Sequence, residues 1–198
     1  MNSSIRLLIY CVRNSLQYLP RRILRFFRFA QLKYRIPSLK IDGPTEIIYD
    51  SISAISFGNN IYIGPFSEII ALKKTPFSTI EGHLSIGDRV IIGKGANIRA
   101  AGGRIEIGEG ALFAQNVSLI AANHSFNPNV LYRDQVWDTN RVGVIINKNV
   151  FLGTGVIILP GVEVGENSVI AAGAVVTKCV PSNQVWAGVP ARCIKTRV

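Results

Sequence analysis

The stretch INKNVFLGTGVIILPGVEVGENSVIAAGAVVTK, residues 146–178, repeats itself every six positions. Ile146, Leu152, Ile158, Val164, Ile170 and Val176 hold one phase without a miss. Glycine or another small residue commonly follows the aliphatic, as at Gly153, Gly165 and Ala171. A small or β-branched residue stands four after it, at Val150, Val156, Val162, Ser168 and Ala174. A period of six is no multiple of the 3.6 of an α-helix, and glycine recurs too often for one. Short strands with a tight turn every six residues satisfy both facts. One inward aliphatic per side and three sides per coil predict a rung of about 18 residues, stacked at a strand spacing of ~4.8 Å.

Upstream the same unit recurs in three shorter series: Phe57, Ile63 and Ile69; Ile86, Ile92 and Ile98; Ile107, Phe113 and Leu119. Ser67, Val90, Ala96 and Ala111 fill the small position of those series. The pattern predicts an all-β solenoid from about Ile41 onward. In its second half it breaks after Leu119, where AANHSFNPNVLYRDQVWDTNRVGV intervenes before the hexads resume at Ile146. An insert in a solenoid protrudes, and loops on rigid scaffolds are where function concentrates.

The chain has 198 residues, 48% hydrophobic and 17% charged, which suits one folded domain with an appendage and excludes general disorder. Its net charge of +10 invites a nucleic acid or an anionic membrane as partner. The charge is uneven, however. Residues 1–40 hold nine basic side chains and no acid, whereas residues 41–198 hold 13 basic and 12 acidic ones, a net of +1. A nearly neutral body carries a cationic arm. Three cysteines, Cys11, Cys179 and Cys193, show no paired spacing, so a disulfide framework or a cysteine zinc site is not expected and a reducing cytosol fits. No early apolar run approaches the ~20 residues that a membrane span requires.

Within the arm, Ile5, Leu8, Ile9, Val12, Leu16 and Leu19 form one helical stripe that Pro20 stops. A second basic-aromatic stretch, RRILRFFRFAQLKYR, runs from Arg21 to Arg35 and ends at Pro37. Two readings stand: a helical arm packed on the body or a neighbouring subunit, or a helix lying on a membrane surface.

The segments IGDRVIIGKGANI and NKNVFLGTGVIILPGVEVGENSVIAAGAVVTK, closed by WAGVPARCIK, resemble the hexapeptide-repeat acyltransferases over about Ile41 to Lys195. Among these the chain is most similar to the sugar and polysaccharide O-acetyltransferases of the galactoside and maltose type. The resemblance implies a left-handed parallel β-helix over 41–198, with loop 121–143 and a CoA-binding segment 177–198, following an arm over 1–40. It also implies acetyl-CoA as co-substrate, no metal, and a homotrimer whose site lies between subunits.

Acyl transfer to a hydroxyl needs a base, and imidazole suits that task. His124, in the protruding insert, stands where the family's base stands; by position alone a histidine holding a loop root is the competing reading. Asn97, in GANIR, resembles the family's asparagine near the acceptor, with Asn123 as the alternative donor to an oxyanion. Tyr132 and Trp137 are candidates to stack on a sugar ring or to hold the loop. Toward CoA, the resemblance assigns Thr154 and Ala172 to turns along the pantetheine arm and Thr177 and Lys178 to a backbone-and-cation contact. It assigns Arg192 and Lys195 to the adenosine phosphate, and Phe151 takes the place of a tryptophan found in several relatives. His83 reads as structural.

Two histidines cannot supply a three-histidine zinc site, which excludes a β-helical carbonic anhydrase. The body lacks the basic stripe of a nucleic-acid binder, so no nucleic acid is expected. The expectation is an O-acetyltransferase acting on a sugar hydroxyl of a surface polysaccharide or its lipid-linked precursor. A cytoplasmic protein is expected, on the inner membrane face under the second reading of its arm. N-acetylation of a nucleotide-linked amino sugar and a non-catalytic β-helical binding role are the alternatives.

Overall fold

The computed structural model describes residues 21–197. The stripe from Ile5 to Leu19 and Cys11 lie outside the described residues. From Lys40 the chain winds as a three-sided parallel β-helix of the left-handed type. The first face stacks Lys40–Ile41, Tyr62–Ile63, Ile91–Ile92, Leu112–Phe113, Phe151–Leu152, Val169–Ile170 and Gln184–Gly188 in parallel. The second stacks Glu46–Tyr49, Glu68–Leu72, Asn97–Ala101, Ser118–Ile120, Ile157–Ile158 and Val175–Val176. The third stacks Ile55–Phe57, His83–Ile86, Arg104–Ile107, Val144–Ile146 and Val162–Val164. The chain ends on the first face in an antiparallel hairpin, Gln184–Gly188 with Ala191–Thr196.

The hexad arithmetic is visible in the register. Ile146 pairs with Val164, Leu152 with Ile170 and Ile158 with Val176, each partner eighteen residues on. Every hexad anchor is buried except Phe57, which packs partly buried against the core. All nine small or β-branched residues four after an anchor are buried too. Such strands are too short to hold a sheet alone; stacking sets anchor on anchor along the coil axis, and the sum is one continuous core. Corner side chains add a polar ladder: the Asn149 amide donates to Asn167 Oδ1 at 2.7 Å and the Asn167 amide to Asn183 Oδ1 at 3.2 Å. These three asparagines sit at φ of 55–59°, a region asparagine tolerates better than most residues.

Arg21–Arg35 is the helix that its composition indicates. It packs on the start of the coil through Leu32, which is buried, and through the Tyr49 hydroxyl, which donates to Gln31 Oε1 at 2.8 Å and reaches the Arg28 carbonyl at 3.3 Å. The Arg28 guanidinium lies 5.3 Å over the Tyr49 ring, and Lys33 Nζ donates to the Leu39 carbonyl at 2.5 Å. Burial pushes the Tyr49 phenol above its usual pKa, against the downward pull of Arg28 and Arg35.

Two long inserts leave the coil among the described residues. The later interruption is the insert after Leu119. The earlier one, residues 73–82, falls between Leu72 and His83, in the gap between the Ile69 and Ile86 series.

Candidate active site

His124 stands at the root of the later loop. Its backbone bridges Trp137 in antiparallel fashion, and the Asp138 amide donates to the Asn123 carbonyl at 2.9 Å. The two ends of the loop are thus zipped beside the second face. Beyond the zipper, Gln135 is 3% exposed and holds the arch from inside. Its Oε1 accepts from Ser125 Oγ and the Asn127 amide, both at 3.0 Å, and its Nε2 donates to the carbonyls of Asn127 at 3.0 Å and Val130 at 2.8 Å. One buried carboxamide satisfies donors and acceptors that a loop of this length would otherwise leave to water.

The earlier interruption reaches the same place. The Trp137 amide donates to the Phe77 carbonyl at 2.8 Å, and the two rings stack at 6.2 Å with 20° between planes. His124 completes the cluster, edge-on to Trp137 at 6.0 Å and tilted to Phe77 at 6.3 Å. Beneath it, Trp137 lies on Gly102, which has φ +67° and where an added Cβ would fall 2.3 Å from Trp137 Cε3. The imidazole itself is exposed, and its ring nitrogens make no hydrogen bond among the described residues. A ring held by aromatic neighbours with both nitrogens open is placed to take a proton from an incoming group.

The other sequence-predicted residues distribute as follows. Trp137 is partly buried, and its Nε1, buried without a hydrogen-bond partner, shows a ring packed under the loop. Asn123 adjoins His124, with an exposed side chain. Tyr132 is exposed on the turn Tyr132–Asp134 and joins no ring contact with the cluster. Asn97 opens the strand whose far end leads to Gly102, ~16 Å of extended chain away. There it faces Glu68 and Arg99: its Oδ1 accepts from Arg99 Nε at 3.0 Å, and Arg99 closes on Glu68 at 2.6 Å. Within one chain, then, Asn97 does not meet His124.

Thr154 and Ala172 occupy one corner of successive rungs: Thr154 Oγ1 donates to Gln115 at 2.9 Å, and its carbonyl accepts from the Gly173 amide beside Ala172 at 2.8 Å. Phe151 lies half-exposed on the first face, in register with Val169. Thr177 and Lys178 stand past the last strand of the second face, where the Thr177 carbonyl accepts from Arg141 of the loop at 2.9 Å. Arg192 and Lys195 are exposed on the terminal hairpin. His83 begins a third-face strand in register with Arg104. A groove of about 660 Å³ runs along the third face, lined by Glu81, Arg104, Glu106, Glu163 and Cys179 among others. None of the site residues proposed from sequence lines it. Among the described residues no group of three or more His, Cys, Asp or Glu side chains is placed to hold a metal ion.

Phe77 is the participant that sequence reasoning missed. Its signal was there in the count: the hexads lose phase between Ile69 and Ile86 across a gap longer than the one between Ile98 and Ile107, room for an insert.

Residues 143–178 match the family described as bacterial transferase hexapeptide (six repeats). The galactoside O-acetyltransferase of Lactococcus lactis is 43% identical over 86 residues, 43% of this chain; the chain spans only 40% of that relative's length. A putative colanic acid biosynthesis acetyltransferase of Escherichia coli, WcaF, is 29% identical over 71% of this chain and 69% of its own. In structure, a mutant of AntD, an N-acyltransferase from Bacillus cereus in complex with dTDP-4-amino-4,6-dideoxyglucose and coenzyme A, superposes with a TM-score of 0.67 at 24% identity. The match covers 86% of this chain and 89% of that one.

Proposed function

We propose that this chain, a member of the hexapeptide-repeat transferase family, transfers an acetyl group from acetyl-CoA to a sugar hydroxyl of a surface polysaccharide or its lipid-linked precursor. The observation that carries the reading is the exposed His124 imidazole, packed against the stacked Phe77 and Trp137 rings with its nitrogens open. His124 takes the proton of the acceptor hydroxyl as that oxygen attacks the thioester carbonyl. The tetrahedral oxyanion is held by N–H donors, with Asn123 adjacent and Asn97 within reach only from another subunit of a trimer. Collapse breaks the carbon–sulfur bond, and the thiolate of CoA takes up the proton that His124 carries. No covalent enzyme intermediate is needed. The pantetheine arm runs past the Thr154–Ala172 corner and Phe151. Lys178, Arg192 and Lys195 offer cations to the phosphates.

The O-acetyl reading draws on the galactoside and colanic acid relatives. The test is thiol release from acetyl-CoA with a panel of hexosides and of nucleotide-linked amino sugars as acceptors. General base catalysis is worth about 10²–10⁴-fold, so His124→Ala should lose that much. Near-normal turnover by the variant overturns the assignment, and turnover confined to the amino sugars replaces the hydroxyl by an amine.

A further inference from the structure

The helix Arg21–Arg35 turns the wrong side to the body for an ordinary amphipathic helix. Ile23, Phe26, Phe27, Ala30 and Tyr34 follow the i, i+3, i+4, i+7, i+11 spacing of one helical stripe, and all are exposed. Phe26 is 67% exposed, Phe27 53% and Tyr34 89%. The contacts to the coil come from elsewhere on the helix, through Leu32, Gln31, Arg28 and Lys33. The helix is therefore fastened by a mixed polar face, and its aromatic stripe is left outward.

We propose that this outward stripe is a docking surface for an anionic lipid bilayer. Charge selects that occupant. The helix carries six basic residues and no acid: Arg28 and Lys33 are engaged with the body, and Arg21, Arg22, Arg25 and Arg35 add to the positive charge of the segment. The preceding segment of the chain holds Arg6 and Arg13, again with no acid, and so offers the helix no counter-charge. The body of another copy, at net +1, offers only scattered acids such as those of the third-face groove, balanced by as many bases. An anionic headgroup layer does, and aromatic side chains beside arginines suit the boundary between headgroups and acyl chains. Among the described residues no helix is long and apolar enough to cross a membrane, so the segment lies on the surface. Anchored at the start of the coil through Tyr49 and Leu32, it fixes the coil to the surface as one body.

The test is sedimentation of the full chain with sucrose-loaded vesicles, phosphatidylcholine alone against phosphatidylcholine with a third phosphatidylglycerol. The expected result is pelleting with the anionic vesicles only, weakening with added salt. A triple variant, Phe26→Ser, Phe27→Ser and Tyr34→Ser, should lose at least tenfold in partitioning while keeping its circular dichroism and its thiol release with a soluble acceptor. Equal pelleting with neutral vesicles, or unchanged partitioning by the variant, overturns the proposal. A smaller oligomer for the variant in size-exclusion chromatography also overturns it, assigning the stripe to a second copy. Vesicle binding and acetyl transfer are read separately, so the failure of either leaves the other standing.

Discussion

Replacing Gly102 by alanine should cost the protein its candidate site, while the same change at Gly110 should not. Both glycines sit at φ +67°, so each substitution forces a side chain into the left-handed region at about 1–2 kcal/mol. That part cancels in the comparison. At Gly110 an added Cβ meets nothing within 4 Å. At Gly102 it falls 2.3 Å from Trp137 Cε3 and 2.8 Å from Cζ3, below any tolerable contact. Either the backbone absorbs the overlap, at the ~1–3 kcal/mol typical of overpacking, or the indole leaves and forfeits its stack on Phe77, worth ~0.5–1.5 kcal/mol, with part of its burial. The cheaper route is displacement of the ring, because Trp137 belongs to a loop and Gly102 to the coil. Gly102→Ala should then have a urea midpoint lower than Gly110→Ala by the equivalent of about 1–3 kcal/mol. Its tryptophan emission should shift to the red. With the clamp gone His124 is misplaced, and since about 1 Å of misplacement costs up to ~10²-fold, thiol release should fall ten- to a hundredfold against the Gly110 variant. Equal midpoints and equal turnover in the two variants would refute the claim that Trp137 seats the imidazole.

Two further outcomes follow from the same geometry. Gln135→Ala removes the four hydrogen bonds that its carboxamide makes inside loop 121–143, and at about 1–3 kcal/mol of local stability it should speed amide exchange across residues 125–131 roughly ten- to a hundredfold, leaving the core strands unchanged; unaltered exchange would show that the arch is held by something else. Tyr49→Phe should cost about 1 kcal/mol, and it should also change the alkaline limb. The folded-state phenol has a raised pKa, so its contribution is complete below about pH 10 and lost as pH rises through the folded value. The urea midpoint of the wild type should therefore fall further between about pH 9 and about pH 11 than that of the variant, and equal falls would sink the account.

Why the coil was legible and the clamp was not is a matter of which contacts leave a period behind. Each rung repeats one environment, so the demand for an inward aliphatic returns at a fixed interval, and Ile146 to Val176 could be placed from spacing alone. His124 was found by the opposite signal, the point where the period fails. The cluster around it arises because two failures of the period, residues 73–82 and 121–143, emerge beside one another on the coil: their roots are separated by the width of stacked strands although Phe77 and Trp137 are sixty residues apart in sequence. No local pattern encodes that meeting. It follows from registering the interruptions on the rungs, since Glu68–Leu72 pairs with Asn97–Ala101, and Asn97–Ala101 pairs in turn with Ser118–Ile120. The two inserts leave the ends of strands that flank one common neighbour. Gly102 closes that common strand, and it is the residue on which Trp137 rests. In a solenoid, then, the candidate site can be sought by aligning the breaks rung by rung, and the glycine between two aligned breaks marks where their side chains meet.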